Sequence, residues 1–104
     1  MMQINTRKQG DWMVYAISGR INGITAPQLE ASLRGSIDAG ELRIAADLSS
    51  VQCLGSAGLW VFLVALRQLG GGEFHLLSPT ESVREVLDIS GFANIMAISD
   101  SLEG

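Results

Sequence analysis

The spacing of hydrophobic and polar positions changes several times along the chain, and each change marks an element. From Asp11 to Ser18 the segment DWMVYAIS alternates Met13, Tyr15 and Ile17 with Val14, Ala16 and Ser18, the two-residue period of a strand. A weaker extended stretch from Gln3 to Lys8 precedes it, with a turn at Gly10-Asp11. Gly19 to Ile24 has no period and reads as irregular. Thr25-Ala26-Pro27-Gln28 then starts a helix, with a capping Thr, Pro in the first turn and Gln three residues after the cap. Leu29, Leu33 and Ile37 keep one face of that helix apolar until Gly40 stops it.

Leu42 to Leu48, LRIAADL, is nearly continuous in apolar residues and predicts a strand buried on both faces. A loop is expected next, and Ser56 or its neighbour begins a second helix that runs to about Leu69. Gly70-Gly71-Gly72 breaks it, and Glu73 to Leu77 forms a short strand. Ser78-Pro79-Thr80-Glu81 reads as a second capping box, with Pro at the first helical position. The third helix sets Val83, Val86 and Leu87 inward and ends at Gly91, and Ile95 to Ile98 supplies a last short strand. The order β-β-α-β-α-β-α-β predicts an α/β fold, a sheet with parallel crossovers and helices packed on it.

The second helix carries more apolar surface than docking requires. Leu59, Phe62, Leu63 and Leu66 share one stripe, enough to hold the helix on a sheet. Trp60, Val61 and Val64 lie outside it. Either neighbouring helices cover Trp60 or a partner does, and Trp is a favoured interface anchor. Trp60 also stands one turn after Ser56, on the same face.

Composition narrows the function. At 104 residues the chain suits one domain spanning 1–104, and 47% hydrophobic with 17% charged residues suits a folded core. A net charge of -4 lacks the basic footprint of a nucleic-acid binder. The single cysteine, Cys53, allows no internal disulfide and implies a reducing compartment. The N-terminus lacks the apolar core of a signal peptide, and the run from Leu59 to Leu66 is far short of the roughly 20 residues a membrane span needs. A soluble cytoplasmic domain without membrane insertion is expected.

Catalytic chemistry finds few parts. His75 is the only histidine and falls in a strand, so no histidine-paired triad or multi-histidine metal site assembles. Cys53 reads as a filler of apolar space rather than a reactive thiol. Gly70-Gly71-Gly72 lacks the phosphate-loop pattern, and Lys8 is the sole lysine. Asp47 reads as a strand-end residue that holds the loop by hydrogen bonds. Glu81, Glu85 and Asp88 read as a solvated helix face. No nucleophile pairs with a base, so a binding module is expected rather than an enzyme, with no cofactor and no metal.

The segment Asp47-Leu48-Ser49-Ser50-Val51-Gln52-Cys53-Leu54-Gly55-Ser56-Ala57-Gly58-Leu59 resembles the signature of STAS domains, especially bacterial anti-sigma factor antagonists. That signature is Asp-Leu at a strand end, a short hydrophobic loop, then Ser-x-Gly-Leu opening a helix. Gly19-Arg20-Ile21-Asn22 with Thr25-Ala26, Gly72 to Leu76, and Ser78-Pro79 through Gly91-Phe92 resemble further family segments. The resemblance implies a STAS-type mixed sheet of four to five strands with three to four helices.

It further implies that Ser56 accepts a phosphoryl group from a partner that is both anti-sigma factor and serine kinase, with Asp47 close beneath it. The unphosphorylated form would bind that partner and release a sigma factor, and a phosphatase would reset the switch. The implied partner surface comprises Asn22, Asp47, Gly55, Ser56, Ala57, Gly58, Trp60 and Val64, on a monomer or weak homodimer. An ordinary N-cap is the plain reading of Ser56, and the two roles can coexist. The chain departs from the family where Gly55 and Ala57 replace the usual Asp and Ser or Thr, and where Asn22 stands for a frequent Asp. Little room follows Ile98 for the final helix that members often have. A second reading is a non-switched interaction subunit of a transporter complex or signalling scaffold.

Overall fold

A computed structural model of the chain describes residues 2–102. Strands β1 (Met2–Gln9) and β2 (Trp12–Ile21) form an antiparallel hairpin. Helix α1 (Ala26–Asp38), strand β3 (Arg43–Leu54), helix α2 (Ser56–Leu69), strand β4 (Glu73–Leu77), helix α3 (Glu81–Ser90) and strand β5 (Ala97–Ser99) follow, with a 3-10 turn at Phe92–Asn94 before β5. The sheet order is β1-β2-β3-β4-β5, and every pair after the hairpin is parallel. This is the mixed α/β architecture expected.

Each crossover moves one strand in the same direction across the sheet. Right-handed crossovers of one direction place all three helices on one face. Accordingly Leu29 and Leu33 of α1, Phe62 and Ala65 of α2, and Val83 and Leu87 of α3 pack in one cluster with Ile44, Ala46 and Leu48. The opposite face carries a smaller cluster of Trp12, Val14, Ala45 and Leu77, against which Leu102 packs. Tyr15 ties β2 to α1, its buried hydroxyl donating to the Ser32 carbonyl at 2.6 Å.

The largest correction concerns the expected loop after Leu48. Strand β3 runs unbroken to Leu54, and β2 continues to Ile21 through residues read as irregular. Register explains the misreading. Ala16 pairs with Asp47 but Ser18 with Ser50, and Gly19 pairs with Val51 but Arg20 with Cys53. Each shift adds one residue to β3, a bulge. The bulges keep Leu48, Val51 and Leu54 on the buried face although they are spaced by three, which hides the two-residue period. The same offset turns Cys53 outward, so it is exposed rather than a core filler.

Both expected capping boxes resolve differently. Thr25 precedes α1 but makes no side-chain cap to it. The cap of α3 is Thr80, not Ser78, and its hydroxyl donates to the Val51 carbonyl at 2.9 Å. Gly91 ends α3 in the left-handed conformation expected of a glycine stop (φ 81°). Of its expected inward residues, Val83 and Leu87 are buried and Val86 is half-buried.

The buried stripe of α2 is Gly58, Val61, Phe62, Ala65 and Leu69, rotated from the expected one. Leu59, Leu63 and Leu66 pack only partly against the core. Val61 is therefore an inner residue, while Trp60 is 61% exposed. The small residues Gly58 and Ala65 let that side of the helix approach the sheet most closely, which decides the rotation.

Candidate functional site

The C-terminal ends of β2 and β3 form a rim from which α1 and α2 start. Strands β2 and β3 end together there, with Ile21 opposite Leu54 and the Gly55 N–H donating to the Ile21 carbonyl at 2.9 Å. Gly55 is the N-cap of α2, with extended backbone (φ -94°, ψ 176°) and no side chain to close the helix end. Ser56 is the first helical residue and is exposed, so it is not the N-cap. The Gly58 and Leu59 N–H groups donate to the Gly55 carbonyl at 3.0 and 3.2 Å. Those of Ser56 and Ala57 have no partner among the described residues, as the first turn of an uncapped helix leaves them. This end favours an anion on electrostatic grounds.

Asn22 shapes the neighbouring loop. Its Oδ1 accepts from the Ile24 N–H at 2.9 Å and the Thr25 N–H at 3.1 Å. Thr25 Oγ1 accepts from the Asn22 N–H at 2.9 Å and donates to the Arg20 carbonyl at 2.9 Å. The Asn22 side chain thus closes a turn of the kind that short polar residues form with backbone two positions on.

The fold brings Asn22, Gly55, Ser56 and Ala57 to this one rim. Trp60 and Val64 continue along the outer side of α2 at four-residue steps from Ser56, exposed and half-buried respectively. Two expected site residues lie elsewhere. Gly58 is buried and turned onto Ile21 and Leu54, where it packs the helix on the strand ends. Asp47 is not beneath Ser56. It shares the helix-free face with Ala45, and its strand partner Ala16 lies five residues before Ile21, about 17 Å away along the sheet. Asp47 Oδ1 accepts from the Ser49 N–H at 3.0 Å, a local hydrogen bond at the first bulge.

Two rim residues escaped sequence reasoning, Arg20 and Ile24. Ile24 is 89% exposed. The available signal was an isoleucine between Gly23 and Thr25 with no period able to bury it. His75 lies half-buried in β4 with its ring 4.6 Å from that of Trp12, far along the sheet from the rim. Among the described residues no three of His, Cys, Asp and Glu gather as a metal site, and no helix is long and apolar enough to cross a membrane.

Comparison with known proteins agrees with this arrangement. The STAS domain family matches residues 3–104. BtrV of Bordetella bronchiseptica, whose name assigns it to the anti-sigma factor antagonists, is 36% identical over 104 residues, covering 98% of this chain and 90% of BtrV. The crystal structure of an anti-sigma factor antagonist from Mycobacterium paratuberculosis superposes with a TM-score of 0.91 at 23% identity, covering 98% of this chain and 88% of that one. SpoIIAA in its unphosphorylated form gives a TM-score of 0.83 at 23% identity, over 99% of this chain and 90% of that one. The structure of SpoIIAA in the phosphorylated form, from Bacillus, gives 0.74 at 22% identity, over 99% and 93%. With sequence and architecture matched along nearly its whole length, the chain belongs to the STAS domain family.

Proposed function

We propose that the chain is an anti-sigma factor antagonist that works by partner switching in the cytoplasm and regulates sigma-factor-dependent transcription. Unphosphorylated at Ser56, it binds an anti-sigma factor that is also a serine kinase. Phosphorylated there, it releases that partner, and a phosphatase restores binding. The ATP site belongs to the partner, and the chain itself performs no catalysis.

The observation that carries this reading is the placement of Ser56, exposed at the first position of α2 with two N–H groups that have no partner among the described residues, one turn from exposed Trp60. A phosphoryl group adds about -1.5 to -2 charges. The helix end accommodates such an anion, so the domain need not unfold. The cost falls on the complex, where like-charge juxtaposition or desolvation at an interface amounts to several kcal/mol. Reversing occupancy from 1:99 to 99:1 takes about 5.5 kcal/mol, so one phosphate is of the right size.

Incubation with the cognate kinase and ATP, followed by mass spectrometric mapping, should place one phosphate on Ser56. Ser56→Ala should retain kinase binding and Ser56→Asp abolish it. Equal binding by both variants would remove the switch.

A further inference from the structure

The end of β3 that leads to Ser56 is flanked by a strand on one side. Strand β4 pairs with β3 as far as Leu77 opposite Asp47, and among the described residues no strand continues it along 48–54. The first turn of α3 meets β3 there instead. Thr80 Oγ1 donates to the Val51 carbonyl at 2.9 Å, and Ser82 Oγ donates to the Gln52 carbonyl at 3.3 Å. Thr80 is the N-cap of α3, yet its side chain makes no bond to its own helix. A capping threonine ordinarily accepts from an N–H of the first turn. This hydroxyl is turned to β3.

Both carbonyls belong to the second bulge. Gly19 pairs with Val51 and Arg20 with Cys53, which leaves Gln52 as the extra residue. The two hydroxyls therefore hold the peptide bonds on either side of Gln52. Without the bulge Arg20 would pair with Gln52 and Ile21 with Cys53, and Leu54 would pass beyond the end of β2. Ser56 would then move by about 3.3 Å, the rise of one strand residue.

We propose that Thr80 and Ser82 are positioning residues for Ser56: they fix the bulge at Gln52 and so set where the Ser56 hydroxyl stands for phosphoryl transfer. This rests on the reading that Ser56 is the phosphoacceptor of a kinase. In that transfer the γ-phosphoryl group of ATP on the partner passes to Ser56 Oγ, ADP is left and the hydroxyl proton is released. A misplacement of about 1 Å can slow such a step by roughly 100-fold.

The test uses the full chain as substrate of the cognate kinase with ATP. Thr80→Val removes one donor at nearly constant shape, Ser82→Ala removes the other, and Thr80→Ser keeps a hydroxyl. Thr80→Val and the double variant should lower kcat by about tenfold or more with KM within about twofold, and Thr80→Ser should restore most of it. Ser82→Ala, a change at an exposed residue, should fold and lower kcat by about threefold on its own. Loss of stability alone would dilute the folded substrate, which raises KM and leaves kcat. In amide NMR spectra of the chain without partner, residues 52–56 should shift or broaden in Thr80→Val while residues 14–17 stay unchanged. Unchanged kcat in the double variant, or a rise in KM alone, would overturn the proposal and leave the switch at Ser56 standing. No phosphate on Ser56 of the unaltered chain would overturn both, and unchanged amides at 52–56 would overturn the hold on the bulge in either case.

Discussion

Gly58 sets the distance between α2 and Ile21. A Cβ on residue 58 would stand 2.6 Å from Ile21 Cγ2 and 2.6 Å from Leu54 Cδ1, closer than carbon atoms pack. Ile21 is wholly buried and branched at Cβ, so its methyl cannot swing aside cheaply. The first turn of α2 therefore rests against the ends of β2 and β3, and the height of Ser56 above the sheet depends on a missing methyl group.

Gly58→Ala should destabilise the domain. Alanine favours a helix over glycine by about 1 kcal/mol, but overpacking a buried contact costs roughly 1–3 kcal/mol. A net loss of about 1 kcal/mol is expected in urea denaturation. A gain instead would show that α2 lifts freely from Ile21.

Trp60→Ala should separate stability from binding. With 61% of the side chain's residue surface already exposed, folding stability should change by no more than about 0.5 kcal/mol. Affinity for the anti-sigma factor should fall by about 2 kcal/mol or more, roughly thirtyfold, as for an interface anchor. A large drop in melting temperature would count against this role.

Asn22 offers a graded pair of substitutions. Asn22→Ala removes the acceptor of two backbone N–H groups and should cost about 1–2 kcal/mol in thermal or urea unfolding. Asn22→Asp keeps the acceptor, and its charge lies before the start of α1, where an anion is tolerated. Its stability should stay within about 0.5 kcal/mol of the parent. Equal loss in both variants would show that the amide nitrogen, rather than Oδ1, holds the turn.

Gly55→Ser should stabilise α2. Backbone at Gly55 suits any residue, and a Cβ would meet the Ile21 carbonyl at 3.6 Å, an ordinary contact. A serine N-cap exceeds glycine by a few tenths of a kcal/mol. The melting temperature should rise by about 1–3 °C. A fall would mean that the added side chain disturbs the Gly55–Ile21 junction.

Much of this architecture was legible in the chain because its helices and its plain strands follow simple periods. Val14 to Ile17 alternate across the sheet, and Leu29 with Leu33 mark one face of α1. The rim was harder to read. Two bulges convert the alternation of β3 into the three-residue spacing of Leu48, Val51 and Leu54, which imitates a loop. Caps failed as local signals because tertiary partners claimed the hydroxyls, Thr80 bonding to Val51 and Thr25 to Arg20. Asp47 was misplaced for a related reason. Sequence proximity to Ser56 gives no indication that the intervening residues are extended and that its side chain occupies the other face. Trp60 showed as surplus because the rest of α2 already supplied an inner stripe, although which residues formed that stripe depended on the close approach at Gly58.

The unbroken course of β3 to Leu54 also bears on how fast a partner can be met. Ser56 follows a paired strand by two residues, so this surface exists before any encounter and has no folding step to wait for. Association then follows collision and orientation, the regime of about 10⁵–10⁷ M⁻¹s⁻¹ for docking of preformed patches. In such a regime the proposed phosphate on Ser56 would act on a surface already formed, so release would require no rebuilding of the chain.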